Sequence, residues 1–264
     1  MLVPATEVQN NFGKYLRICA IEPVVITRNG IPQAVLSAGG GGGKASMMWE
    51  SVVEYGTSPR KDQLLSYQDF MDLTEKSDNR YELIDGVVYQ LASPAFSHQR
   101  ILGSLYIEFW RYFQEKPACG PFLAPFDIEL IRRLQVGLRK PTDDDINVVQ
   151  PDLIVLCDYV KDINAKDRYK GIPTLVVEIL SPSNRTNDRV RKLGLYMESG
   201  IAECWHVDPK NHTVTVYSFV DNAISDETIY KLGDEVSARS IHFEGLSVPL
   251  KTLFPQEASE NTSI

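Results

Sequence analysis

The chain has 264 residues, 43% of them hydrophobic and 23% charged, so it carries enough apolar material for one large folded unit or two unequal ones. Its 27 basic and 35 acidic residues give a net charge of -8, which excludes a basic protein that coats nucleic acid but not a local DNA-binding patch. The sequence does not begin with a basic region followed by an apolar stretch, and no apolar run is long enough to span a bilayer. We therefore expect neither secretion nor membrane insertion.

The four cysteines, Cys19, Cys119, Cys157 and Cys204, are scattered singly along the chain. No two of them have the close spacing of a zinc site or a redox pair, and nothing in their arrangement suggests a disulfide framework. We expect reduced thiols and a cytoplasmic protein.

The first 38 residues predict an extended start, one helix and one hairpin. A capping box formed by Thr6 and Gln9, followed by an apolar repeat at helical spacing, predicts a helix from 7 to 20; the repeat consists of Val8, Phe12, Leu16 and Cys19. Apolar strands at 24–27 and 31–36 flank Asn29-Gly30, a dipeptide typical of hairpin turns. This segment has too little apolar surface to fold alone, so we expect a homodimer.

This segment resembles the N-terminal half of the Phd/YefM antitoxin family over residues 5–7, 11–16, 23–30 and 32–36. The resemblance implies that residues 1–38 form a truncated antitoxin-like module that dimerises and binds DNA, with Lys14, Arg17 and Arg28 as candidate phosphate contacts. For each of the three, an ordinary solvated charge is the alternative. A glycine run replaces that family's toxin-binding extension, so no cognate toxin is expected.

Five consecutive glycines, Gly39 to Gly43, indicate a flexible tether, because a helix or strand would pay a large entropic cost to hold them. The alternative is a mobile hairpin end within one domain. Residues 1–46 contain four basic and two acidic residues, a net charge of +2, whereas the remainder contains 23 basic and 33 acidic residues, a net charge of -10. We therefore predict a Gly-rich linker at 39–65, a large domain at 66–254 and a tail at 255–264.

The large domain alternates strand and helix patterns, which predicts an α/β (α+β) fold. Helices are expected at 65–73, at 97–115 with Ser97 as its cap, and at 185–199 before Gly200. Strands are expected at 81–84 and 87–91 around Asp85-Gly86, and at 126–131, 152–156, 175–180, 203–207 and 213–219.

Two carboxylates stand in strands of the buried type: Asp152 directly after Pro151, and Glu178 between valine and isoleucine. An ionised carboxylate is costly to bury unless a cation or a metal neutralises it, and a structural ion pair of Glu178 with Lys192 is one possibility. The other is a site in which the two carboxylates hold Mg²⁺ and Lys192 assists, since Lys192 and Tyr196 share one face of the following helix. The run Asp143-Asp144-Asp145 is interpreted as a solvated turn.

Residues 66–254 resemble the Uma-type restriction-endonuclease family. The resemblance rests on Tyr81-Glu82-Leu83-Ile84-Asp85-Gly86, Ser93-Pro94 with His98-Gln99, Ala124-Pro125-Phe126-Asp127, Val149-Gln150-Pro151-Asp152-Leu153, Val177-Glu178-Ile179-Leu180-Ser181-Pro182-Ser183, Lys192 with Tyr196, and Glu203-Cys204-Trp205-His206-Val207-Asp208-Pro209. It implies the PD-(D/E)XK nuclease fold, a central mixed sheet flanked by helices with a divalent-metal site on adjacent strands.

Carried over by position, the resemblance gives Asp152, Glu178, Lys192 and Glu82 as catalytic candidates, with Asp152 and Glu178 holding Mg²⁺ or Mn²⁺. Leu180 stands where the motif has its lysine, and Lys192 is expected to take over that role. His98 is either a site residue or a packing residue. His206, His212 and His242 are expected to have no role.

Two functions follow. The first is a Mg²⁺-dependent endodeoxyribonuclease that acts on DNA. The alternative is a non-catalytic DNA-binding regulator of antitoxin type that retains the nuclease fold. In a third, weaker interpretation the N-terminal module only dimerises the nuclease.

Overall fold

The computed structural model describes residues 1–28, 31–37, 64–133, 139–165, 168–181, 186–233 and 235–255. The Asn29-Gly30 turn, the glycine run with nearly all of the predicted linker, and the tail from residue 256 lie outside the described residues. The chain divides into two compact units, one made of Met1–Ala92 with Thr142–Asn147 and the other of Ser93–Pro141 with the residues from Val148 onward. The division thus falls inside the predicted large domain, because the elements up to residue 92 group with the N-terminal segment.

The first unit begins with a three-stranded sheet. Its elements are β1 (Leu2–Pro4), α1 (Ala5–Asn10), α2 (Phe12–Ile18), β2 (Val24–Arg28) and β3 (Ile31–Leu36). Strand β1 runs parallel to β2, and β3 runs antiparallel to it. The predicted extended start and hairpin strands are therefore confirmed.

The predicted single helix at 7–20 is wrong in two respects. The chain breaks at Asn11, whose φ of -129° and ψ of 38° leave the helical region, so two short helices form. The first begins after Pro4 with no side-chain cap, so the Thr6–Gln9 capping box is absent. The break shifts the buried face of α2 to Tyr15 and Ile18 and leaves the Phe12 and Leu16 side chains 52% and 47% exposed.

The rest of the first unit follows the sequence pattern closely. Helix α3 (Tyr67–Lys76) is capped by Ser66, whose hydroxyl accepts a 3.1 Å hydrogen bond from the backbone N–H of Asp69. Strands β4 (Tyr81–Ile84) and β5 (Val87–Gln90) form an antiparallel hairpin. Its turn residues Asp85 and Gly86 have φ values of 51° and 78°. This is the left-handed conformation that an Asp-Gly pair adopts in tight hairpin turns.

A six-stranded mixed sheet forms the centre of the second unit, with strand order β13-β12-β11-β10-β9-β6. The remaining strands in the part of the chain that the structure describes are β6 (Cys119–Leu123), β7 (Ile128–Leu130), β8 (Asn147–Val149), β9 (Leu153–Cys157), β10 (Leu175–Ile179), β11 (Glu203–Asp208), β12 (Thr213–Val220), β13 (Ala223–Lys231), β14 (Ser237–Arg239) and β15 (Ser247–Pro249). Among the described residues, further α-helices are α4 (Phe96–Phe113), α5 (Thr186–Ser199) and α6 (Leu250–Leu253). Strands β10 and β11 are parallel, so α5 is the crossover between them, while the other pairs in this sheet are antiparallel.

Helices cover the sheet on both faces. On one face, alternate residues of the strands pack against α4. The buried stripe of α4 is the one predicted from the sequence, namely Ile101, Leu102, Leu105, Phe109 and Phe113. The other set of alternate residues includes Glu178, which is contacted by side chains of α5. The predicted mixed sheet flanked by helices is confirmed, although α4 begins at Phe96 without the predicted Ser97 cap.

The expectation of four reduced cysteines is wrong for two of them. Cys119 and Cys157 face each other across the antiparallel β6–β9 pair, with a Cα–Cα distance of 4.0 Å, and form a disulfide. They are 38 residues apart in sequence, and only the strand register brings them together. Cys19 and Cys204 are free and buried. None of the helices in the described residues could cross a membrane.

Candidate active site

Asp152 lies beside Glu178, just ahead of the neighbouring strand in the second unit. It stands directly before β9, and the antiparallel register that pairs Leu153 with Val177 brings it beside the end of β10. The backbone N–H of Ile179 donates a 2.7 Å hydrogen bond to Asp152 Oδ2. Asp152 and Glu178 therefore meet where two adjacent strands begin and end, and their binding of a metal stays a prediction.

Helix α5 brings Lys192 and Tyr196 onto Glu178. The Glu178 residue is 7% exposed, and its Oε1 lies 2.7 Å from Lys192 Nζ. The buried Tyr196 hydroxyl donates a hydrogen bond to the same oxygen. Lys192 and Tyr196 are one helical turn apart, and this spacing lets both reach one carboxylate. The ion pair that the sequence offers as an alternative is thus present, and it joins two of the predicted catalytic residues.

His98 also belongs to this cluster. It lies in the first turn of α4, and its Nε2 is 3.2 Å from Asp152 Oδ1. Burial lowers the pKa of His98, but the hydrogen bond to Asp152 and the charges of Asp152 and Glu178 outweigh that effect, so the pKa is raised above its ordinary value. Of the two roles left open by the sequence, the contact with Asp152 favours that of a site residue.

Strand β11 adds two buried neighbours that the sequence pattern did not assign to the site. The parallel register places His206 opposite Glu178 and Cys204 opposite Val176. Burial raises the pKa of the Cys204 thiol well above its ordinary value, the charge of Glu178 raises it further and that of Lys192 lowers it. Cys204 is therefore a protonated thiol close to the cluster. Side chains alternate between the two faces of a strand, and β11 runs parallel to β10. These two facts together are the signal that could have identified Cys204 and His206.

Glu82 is on β4, in the first unit, and its side chain is buried. Asp152, Glu178, Lys192 and His98 all belong to the second unit. The catalytic role of Glu82 stays a prediction from the resemblance.

The three candidate DNA contacts are in the first unit, and two are already paired. Lys14 forms ion pairs with Asp72 and, at 3.8 Å, with Asp69. Arg17 Nη2 lies 3.1 Å from Asp69 Oδ2. The side chain of Arg28 lies outside the described residues. Acidic residues of α3 therefore compensate the charges of Lys14 and Arg17, and their contact with DNA stays a prediction.

The donor set at Asp152 and Glu178 suits a hard divalent cation. Two carboxylates supply oxygen ligands of the kind Mg²⁺ prefers, with water left to complete the shell. In the described part of the chain, no group of three or more His, Cys, Asp or Glu side chains could hold a metal ion. The Asp143–Asp145 run fits a turn instead: Asp143 and Asp144 are exposed, and Asp145 is buried as a cap that accepts hydrogen bonds from the backbone and hydroxyl of Thr142.

Comparisons with known proteins agree with this architecture. The family described as "Uma2: Putative restriction endonuclease" matches residues 67–251. A crystal structure of "a putative nuclease belonging to DUF820" from Anabaena variabilis has a similar fold, with a TM-score of 0.57 and 18% sequence identity over 72% of this chain and 97% of that one. No curated protein matches the sequence.

Proposed function

The chain belongs to the Uma2 family, and from that premise we propose that it is a metal-dependent endonuclease that hydrolyses phosphodiester bonds in DNA. Asp152 and Glu178 would hold Mg²⁺ or Mn²⁺, and Lys192 would be the catalytic cation. The observation that carries the proposal is the meeting of these three residues in one cluster, with Lys192 Nζ 2.7 Å from Glu178 and the residue after Glu178 bonded to Asp152.

The chemistry of the site supports hydrolysis of a phosphodiester. A bound divalent cation lowers the pKa of a water molecule and offsets the charge that develops on a phosphate oxygen. The chain's own residues would do the remaining work. Asp152 is held by the Ile179 N–H, Glu178 is held by Tyr196, and the Lys192 ammonium adds a fixed positive charge for an anionic substrate. The scaffold supports pre-organisation, because both carboxylates stand on or directly beside paired strands.

The experiment is a nicking assay on supercoiled plasmid with the purified full chain and Mg²⁺ or Mn²⁺. We expect nicking by the wild type and none by Asp152→Asn or Glu178→Gln, since each removes one metal-binding charge. Asp144→Asn, in the exposed part of the acidic turn, is the matched control and should nick like the wild type.

Equal nicking by the wild type and by both site variants would point to a contaminating nuclease and contradict the proposal. DNA binding without cleavage under either metal would instead favour the non-catalytic regulator. The contacts predicted for Lys14, Arg17 and Arg28, and the homodimer, belong to the same proposal. Some support for association comes from the exposed apolar side chains of the N-terminal segment, namely Leu2, Phe12, Leu16 and Val35.

A further inference from the structure

We propose that His98 is a positioning residue that fixes the Asp152 carboxylate in the orientation needed for metal binding. This inference rests on the proposed function of the same site. It concerns a residue for which the sequence offered two roles, in the site or in packing.

Asp152 is held from two sides by two different elements. The backbone N–H of Ile179 in β10 donates to Oδ2 at 2.7 Å, and Nε2 of His98 in α4 lies 3.2 Å from Oδ1. A carboxylate that is contacted through both oxygens cannot rotate about its terminal bond without losing one of the two contacts. The free lone pairs of Asp152 therefore keep one direction before a metal arrives, which is what a supporting shell contributes to a metal site.

The hydrogen bonding of His98 distinguishes this role from packing. The imidazole is largely buried, yet its Nδ1 meets no hydrogen-bond partner among the described residues. Among the described residues, Asp152 is therefore the polar partner of the His98 ring. A buried nitrogen without a partner costs free energy, and an apolar side chain would pack there without that cost, so the contact with Asp152 is what a histidine adds at this position.

The arrangement matches that of the second carboxylate. Glu178 is held by Lys192 and Tyr196 of α5, which reach it from the face opposite to α4. Helix α4 thus supplies the support for Asp152, and helix α5 supplies the support for Glu178. Loss of His98 should consequently weaken metal binding while leaving the sheet and α5 in place.

The test is a calorimetric titration of the full chain with Mn²⁺, using wild type, His98→Ala, His98→Gln and His98→Asn. A glutamine amide can reach the position of the His98 Nε2, whereas the shorter asparagine amide cannot. We expect His98→Ala and His98→Asn to bind Mn²⁺ about 10-fold more weakly than the wild type and His98→Gln to remain within about threefold. Gln99→Ala, at the exposed neighbouring position, should bind like the wild type.

Equal Mn²⁺ affinity of the wild type and His98→Ala would overturn the inference and leave the proposed nuclease standing. If His98→Ala does not fold, the glutamine and asparagine variants decide the matter, and equal affinities for those two would also overturn it. A wild type that neither binds Mn²⁺ nor nicks DNA would remove the proposed function and this inference together.

Discussion

Charged side chains meet in both units of the molecule, but they are held in different ways. In the first unit, Lys14 and Arg17 pair with α3 carboxylates through long side chains, and the Arg17 and Asp72 side chains are 37% and 30% exposed. In the second unit, the Glu178 and Lys192 side chains are only 9% and 13% exposed. Asp152 there accepts a hydrogen bond from a strand N–H.

This difference separates two uses of the same residue types. Partly exposed ion pairs between flexible side chains contribute about 0–1 kcal/mol each, so the first-unit pairs add little to stability. Charges that are buried on paired strands and held by directional donors cost free energy to assemble, but they stay oriented for chemistry. The comparison predicts large functional effects in the second unit and small energetic effects in the first.

Among the tests of this contrast, replacing Lys192 should give the largest effect. We expect Lys192→Met to lower the nicking rate roughly 100-fold, because it removes a fixed positive charge beside the site. Single-turnover plasmid nicking at saturating Mg²⁺ measures the change. Lys210→Met, in the exposed turn between β11 and β12, is the control and should retain the wild-type rate. If the nicking rate of Lys192→Met stays within threefold of the wild-type rate, the Lys192–Glu178 ion pair has a structural role and no catalytic one.

The disulfide is a second feature of the unit that contains the candidate site, where it links β6 to β9. Cys119→Ser should lower the free energy of unfolding by about 2–4 kcal/mol, because the cross-link restricts the unfolded chain. Urea unfolding of the two proteins without reductant measures the difference. Thiol titration of the denatured wild type should find two reactive thiols, Cys19 and Cys204, and a count of four would show that the bridge does not form.

The residues of the candidate cluster were easier to select from the sequence than the contacts around them. Asp152 and Glu178 could be recognised because a carboxylate in an apolar strand is conspicuous, and Lys192 because it follows on the next helix. His98 could not be assigned, since its contact depends on how α4 approaches β9. The position of His206 and the disulfide likewise depend on strand register, which pairs residues far apart in sequence.

Errors in the predicted elements have local causes. Strand β6 contains Gly120 and Pro121, which usually interrupt strands, and it was missed. Strand β13 was missed because its residues are mostly exposed and form no clear apolar alternation. The single N-terminal helix was wrong because an apolar repeat does not reveal a break at one asparagine.

The smallest expected effect concerns Asp72 and Lys14 in the first unit. A double-mutant cycle with Lys14→Ala and Asp72→Ala should give a coupling energy of about 0.2–1 kcal/mol at neutral pH. The hydrogen bond from Lys14 holds the pKa of Asp72 below its ordinary value, and the charges of Lys14 and Lys76 act in the same direction against burial. The folded-state pKa is thus depressed, so this stability is present above the ordinary pKa of an aspartate and is lost as the pH falls through the lower value.

Urea unfolding of the full chain and the three variants at neutral pH and at about pH 3 tests the sign of this effect. The coupling should shrink at the lower pH and also in about 1 M salt, where the screening length falls to roughly 3 Å. Glu75, an exposed carboxylate on the same helix, provides the control pair with Lys14 and should show no coupling. A coupling of several kcal/mol that survives salt would mean that the first unit holds its charges as rigidly as the second, and the contrast between the two units would fail.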